Sequence, residues 1–303
     1  MRPPFSSSQP KARRRRLPRE SSLAFLLVAP TVAVLLALSV YPLIYAIKVA
    51  FQSGSGAEAR WTLQHFTRLF SDGFFLAALG HTLLFAAAAL TCEFLLGLGL
   101  ALLVDRPLRG RGLFRALLLV PMMLPPVVVG VVWRLMLNPD FGAVNGTLRS
   151  LGLTTEALTW TASPRLAMLS VIAVDVWQWT PFVFLVLLAG LQAIPQEPYE
   201  AARIDGSSAW QTFRFITLPL LRPAMLIALL LRTMDLLRVF DQIFILTEGG
   251  PGFATETVSL YIYRAAFRFF DFGYAAAMSF VLLIITNLIS AGYIRLLQRQ
   301  EAM

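Results

Sequence analysis

Apolar residues run in blocks of about twenty or more, separated by short stretches rich in Arg, Pro, Gly and acidic side chains. A helix rises about 1.5 Å per residue, so a run of that length matches the roughly 30 Å of hydrocarbon in a bilayer. Six such runs predict membrane-spanning helices near residues 22–51, 76–104, 112–137, 166–191, 223–245 and 272–297. The first run, Leu23 to Phe51, is longer than the roughly 7–15 apolar residues of an export signal. No small-residue cleavage site follows it, so it reads as a retained span. The predicted fold class is all-α: a polytopic membrane domain of six transmembrane helices over residues 21–303. Residues 1–20 form a basic tail expected to be disordered.

Composition agrees. Hydrophobic residues make up 57% and charged residues 14% of the 303, with mean hydropathy +0.68. A soluble domain carries about 25% charged residues. The net charge of +9 suggests nucleic acid until its distribution is read. Sixteen of the 26 basic residues fall in the N-terminal tail, the loops after spans two and four, and the C-terminal tail, against six in the other three loops. That asymmetry is a topology signal: it places both termini in the cytoplasm and argues against nucleic-acid binding. The run Arg13 to Arg16 reads as an anchor for anionic lipid rather than a twin-arginine export signal. One cysteine, Cys92, and two histidines, His65 and His81, leave no disulfide framework and no metal cluster. There is no phosphate loop, nucleophile elbow or His-Glu-x-x-His pair. No catalytic residue, metal site or resident cofactor is predicted in the chain.

Polar residues inside spans are costly in lipid and mark function or packing. In span five Arg232, Asp235, Arg238 and Asp241 recur at intervals of three. On a helix, Arg232–Asp235 and Arg238–Asp241 could pair, and the stripe would wind round the helix. It lines a hydrophilic substrate route or makes structural ion pairs; the pattern leaves both open. In span four Trp177 and Gln178 suit a sugar, the ring stacking on C–H groups and the amide bonding hydroxyls, with helix packing as the alternative. Asp175 and Arg134 are further candidates. Glu93 reads as a helix–helix partner, Cys92 as a small packing residue and His81 as unremarkable.

The loop after span four, residues 195–223, is the most informative stretch. Pro195 and Pro198 punctuate the exit from the span. Glu197 and Glu200 suit the start of a short helix, where acids meet the positive dipole end. Gly206 can end it, tolerating positive φ. A second short helix is expected from about Ser207 to Phe215, with Pro219 and Pro223 breaking the chain before span five. The outcome is a compact knob displaying small and acidic residues, built to dock.

Glu200-Ala201-Ala202-x-x-Asp205-Gly206, followed by Phe213, Ile216, Leu218-Pro219 and Pro223, resembles the EAA loop of ABC-importer permeases. Trp133-Arg134 to Asn138-Pro-Asp-Phe-Gly142, Trp177 to Pro181-Phe182, and Thr247 to Pro251 with Ala254-Thr255-Glu256 are similar to the carbohydrate-uptake branch, and in particular to its maltose- and glycerol-phosphate-type first permease. The resemblance runs from about Leu23 to Leu297. It implies a type I importer permease fold in a bacterial inner membrane. It also implies that Glu200, Ala201, Ala202, Asp205, Gly206, Phe213, Leu218 and Pro219 couple to an ATPase. The implied partners are a second homologous permease, two ATPase subunits that bind ATP and Mg, and an extracytoplasmic solute-binding protein. The implied cargo is a sugar, polyol, oligosaccharide or sugar phosphate. An ion-coupled secondary transporter, with Glu93 and Asp175 carrying protons, is the competing reading; a membrane enzyme lacks a catalytic constellation.

Overall fold

A computed structural model describes residues 18–54, 60–105 and 110–301. Most of the expected basic tail lies outside these residues, and the first helix already begins at Pro18. The chain divides into two units after Val49. The first is helix α1 (Pro18–Ala50), which carries Pro30 and Pro42 in its interior.

The second unit opens with two short antiparallel strands, β1 (Gln52–Ser53) and β2 (Arg60–Trp61). Helix α2 (Gln64–Ser71) leads into α3 (Gly73–Asp105). Asp72 stands at that joint. Its carboxylate accepts the Phe74 amide at 2.9 Å and the hydroxyls of Tyr261 and Tyr274, so one side chain both starts α3 and ties it to the later chain. Helices α4 (Arg111–Met123) and α5 (Pro126–Met136) follow. Residues 112–137 were expected as one span, but the two helices meet at 96°. Pro125 and Pro126 remove two adjacent N–H donors and bar helical geometry at Leu124, and Pro126 starts α5 at the one position where its missing donor costs nothing.

Helix α6 (Ala143–Ser150) precedes the long α7 (Pro164–Gln192). Then come α8 (Glu197–Ile204), α9 (Ala209–Thr212), a π-helical segment over Phe213–Thr217, and α10 (Leu218–Leu236). The last three run on as one 28-residue helix from Ala209 to Leu236. Pro219 and Pro223 therefore lie inside a helix and do not break it. The wider π turn just before Pro219 accommodates the lost donor. Span five also stops nine residues short of the expected Ile245, and α11 (Asp241–Leu246) is a separate short helix. Helices α12 (Val258–Phe267) and α13 (Phe272–Glu301) complete the chain.

Among the described residues five helices are long and apolar enough to cross a membrane, six if the bent α4–α5 pair counts as one span. Helix α7 is the hub. At its later end Val183, Phe184, Leu187 and Leu191 bury against Ala101 of α3 and Leu221 of α10. Near its start Val171 and Val174 meet Phe85, Val129, Leu236 and Ile243. Cys92 is exposed rather than packed. A lipid-facing surface needs no polar cover, so many Leu, Val and Phe side chains remain exposed on the protein itself.

Helices α7 and α10 pack closest at Gly190. A Cβ there would lie 2.5 Å from the Ala224 Cβ, inside any real contact distance. Gly190→Ala is expected to destabilise the domain by about 1–3 kcal/mol in thermal unfolding in detergent. Ala224→Gly on the same chain should recover most of the loss; no recovery would show that the helices are not held apart at this point.

Candidate functional site

Two features carry chemistry. The first is the knob between α7 and α10. Helix α8 ends in a double closure: the Gly206 amide bonds the Arg203 carbonyl at 3.2 Å and the Ser207 amide bonds the Ala202 carbonyl at 2.9 Å. Gly206 has φ +71°, which a side chain would strain. Ser208 then starts α9 with a reciprocal cap, its hydroxyl accepting from the Gln211 amide and the Gln211 side chain accepting from its own amide. Tyr199 bonds Thr217 at 3.2 Å, bracing α8 against the π-helical segment before α10. The knob is thus rigid, although four residues join its two helices. Glu200, Ala201, Asp205 and Gly206 are exposed, Ala202 is buried, Phe213 and Leu218 are half-buried and Pro219 is exposed. Its surface is not only small and acidic: Ile204 is 87% exposed and Trp210 69%, two large apolar groups offered to solvent.

The second is a polar cluster among α3, α7 and α10. Arg232 is 2% exposed. Its Nε and Nη2 each donate at 2.7 Å to the two oxygens of Glu93, and Nη2 donates at 2.7 Å to Asp175. Glu93 and Asp175 are also buried, and the Trp179 ring lies 5.0 Å from the guanidinium. Arg232 meets Glu93 through a two-pronged fork and Asp175 through a single bond. Of the stripe, Arg232 faces this cluster, with Asp235 at the 4.0 Å limit of contact on its third nitrogen. The expected Arg238–Asp241 pair does not form. Arg238 lies past the helix end, its Nε donating to the Met234 carbonyl at 3.0 Å and its Nη2 reaching Asp235 at 3.8 Å. Asp241 begins α11 instead.

Beside the cluster opens a pocket of about 400 Å³, lined by Asp175, Trp179, Arg232, Asp235, Arg238, Asp241 and Gln242 among others. All four residues of the stripe reach it. Trp177 and Gln178 do not share a face. Trp177 points outward, 41% exposed, with its ring edge on Trp133 at 5.5 Å. Gln178 is buried: it donates to the Leu124 carbonyl at 2.9 Å and accepts from the Gln242 amide. Leu124 has left helical geometry at the end of α4, so Gln178 satisfies a carbonyl at the break between α4 and α5. The aromatic residues in the pocket are Phe240 and, from α7, Trp179. Its signal was present in the sequence, since it stands four residues, one helical turn, after Asp175. Gln242 was also missed. With its amide nitrogen committed to Gln178, its Oε1 is buried with no partner among the described residues.

Residues 93–301 match the family described as binding-protein-dependent transport system inner membrane component. The chain belongs to that family. It is 39% identical over 284 residues to a probable ABC transporter permease protein, y4oQ, of Sinorhizobium fredii, spanning 92% of this chain and 91% of the relative. It is 37% identical over 283 residues to the trehalose/maltose transport system permease protein MalF of Thermococcus litoralis, spanning 91% and 94%. Its fold matches the crystal structure of a bacterial ABC transporter involved in the import of the acidic polysaccharide alginate, with TM-score 0.82 and 24% identity over 93% of this chain and 96% of that one.

The other motifs of this permease build shape. Asn138 Oδ1 accepts the Asp140 amide at 2.9 Å, forming the turn after α5. Thr247 and Thr255 join at 2.7 Å across the loop before α12. His81 bonds the Glu256 carbonyl at 3.2 Å. The Glu256 carboxylate is 1% exposed, with Arg264 Nη1 at 3.2 Å. Burial pushes its pKa up to about 7 against the pull of Arg264 and Arg268.

Two outcomes are expected. Arg232→Met leaves two carboxylates facing each other without a cation and should cost about 3–5 kcal/mol in chemical unfolding. Adding Glu93→Gln and Asp175→Asn to it should restore part of that loss. Glu256 binds its proton more tightly folded than unfolded, so its contribution is most favourable below about 4.5 and falls as pH rises towards 7. Thermal unfolding from pH 5 to 8 should show that decline, and Glu256→Gln should flatten it.

Proposed function

We propose that this permease is the membrane-spanning subunit of an ATP-driven importer that passes a carbohydrate, handed over by an extracytoplasmic solute-binding protein, through the pocket beside Arg232. The observation that carries the reading is the rod from Ala209 to Leu236. Its first turn belongs to the knob and its last turn carries Arg232 and Asp235 on the pocket wall. A push at one end must reach the other. ATP and Mg belong to two ATPase subunits, which grip the knob through Glu200, Ala201, Asp205, Gly206 and the exposed Ile204 and Trp210. A second, homologous permease completes the path. Both termini face the cytoplasm, as the basic residues require. ATP binding closes the ATPase pair, moves α8 and shifts the pocket between two accesses.

The pocket suits hydroxyl groups. Gln242 Oε1 awaits a donor, the outer nitrogen of Arg232 offers donors, and Trp179 and Phe240 supply ring surface. The names of similar permeases, trehalose/maltose in one case, fit that chemistry. An anionic cargo fits poorly. Arg232 is neutralised by Glu93 and Asp175, and Arg238 stands among Asp235 and Asp241. Carboxylates outnumber cations there. The proton-carrying role once open to Glu93 and Asp175 has no support, since both are committed to Arg232.

Gly206→Val is expected to abolish uptake in reconstituted vesicles without lowering the amount of permease in the membrane, because the strain of about 1–3 kcal/mol falls on the knob alone. A protonophore at constant internal ATP should leave wild-type uptake unchanged. Uptake that survives Gly206→Val but collapses with the protonophore would overturn the importer reading.

A further inference from the structure

A groove of about 550 Å³ runs along the start of α10, lined by Arg214, Leu218, Pro219, Leu220, Arg222, Pro223 and Met225. Its floor is apolar and its only charged lining is cationic. Arg214, Leu218, Arg222 and Met225 follow one another at steps of four, four and three, so they share one face of the rod. Arg214 and Arg222 are both exposed and join none of the ion pairs among the described residues. They stand eight positions apart, about 12 Å of helix, so two long side chains leaning together can converge on one small anion between them. The helix they stand on is long and apolar enough to cross the membrane, and both lie in its first half, on the side of the knob.

That combination is amphipathic in a particular way: hydrocarbon surface along the helix, with two guanidiniums in the half of it nearer the knob. We infer that the groove is a binding site for one anionic phospholipid of the leaflet on the knob side, its phosphate held by Arg214 and Arg222 and an acyl chain on the apolar floor. Calling that leaflet cytoplasmic rests on the importer reading. The alternative occupant, a segment of an ATPase subunit, would have to cover the apolar floor and bring its own acids. The groove is lined for a ligand that is an anion at one end and hydrocarbon at the other. Lipid supplies both in one molecule. A lipid held there would also shield the base of the knob, where Tyr199 braces Thr217.

The test is native mass spectrometry of the complete importer, released from nanodiscs of phosphatidylcholine and phosphatidylglycerol in equal parts. The wild type should retain phosphatidylglycerol in preference to phosphatidylcholine. Arg214→Gln and Arg222→Gln should each weaken that retention roughly fivefold, and the double variant by their product. Arg214→Lys with Arg222→Lys should keep most of it, which a merely structural loss would not. Equal retention by wild type and double Gln variant in an intact assembly overturns the proposal. So does loss of ATPase subunits from the double Gln variant with phosphatidylglycerol retention unchanged, which would seat the ATPase in the groove. The presence of ATPase subunits with the wild type reports on the importer reading separately, whatever the lipid result.

Discussion

A guanidinium within a bilayer has to find its counter-charges before the helix that carries it can be placed at all. Arg232 meets that demand with both oxygens of Glu93 on α3 and one of Asp175 on α7, each at 2.7 Å. Forked bonds of this kind fix direction as well as distance. Only one rotation and one depth of α10 bring the fork onto Glu93 while Leu221 and Leu236 stay buried against the hub. The pair is a poor source of net stability, since stripping water from three charges costs several kcal/mol for each ion. Its effect is on geometry: it sets the register of three helices and leaves the outer nitrogen of Arg232 turned to the pocket.

The pocket exists because α10 stops where it does. Arg238 bends back to bond the Met234 carbonyl, satisfying one of the acceptors that a helix leaves open at its end. The chain then turns, and Asp241 restarts it as α11. The gap between the two helices is the wall of the pocket. The run of α4 and α5 is also broken, at Leu124, and Gln178 bonds the carbonyl there. Two interrupted helices face one continuous one. Irregular backbone at membrane depth is tolerated where it lines a cavity, which is where both breaks lie.

Length and polarity made most of the fold legible. The long helices follow from runs of apolar residues, and the knob follows from Glu197, Gly206 and the serine-led second turn. What periodicity could not reveal was which way a polar residue turns when a helix stops being regular. The spacing of Arg232, Asp235, Arg238 and Asp241 reads as one stripe only if one helix carries them all, and the helix ends at Leu236. Pro219 and Pro223 read as breakers because a π turn leaves no mark in composition. Trp177 drew attention over Trp179 although the turn shared with Asp175 favours the latter. Gln178 and Gln242 bond each other across 64 positions of sequence, and no local pattern foretells that. The exposure of Ile204 and Trp210 has no local signature either, since large apolar residues in a short helix read equally well as its buried face.

The buried cluster also decides what kind of motion the rod can transmit. If α10 slid alone past α3 and α7, Arg232 would leave Glu93 and Asp175, and three uncompensated charges in a low-dielectric interior would cost at least the several kcal/mol expected of one broken buried pair. Opposing that are only packing contacts, which rearrange at small cost when a helix pair tilts together. The close approach at Gly190 adds to the same side, because α7 and α10 touch there through backbone and Ala224. Movement of the knob therefore carries α3, α7 and α10 as one body, and the change of shape is confined to what is not bound to that body. The segment from Leu237 to Gln242 is the natural place for it. It holds Arg238 and Asp241 on the pocket wall, it joins two helices of different direction, and its charged side chains are exposed enough to exchange partners without being stripped of water.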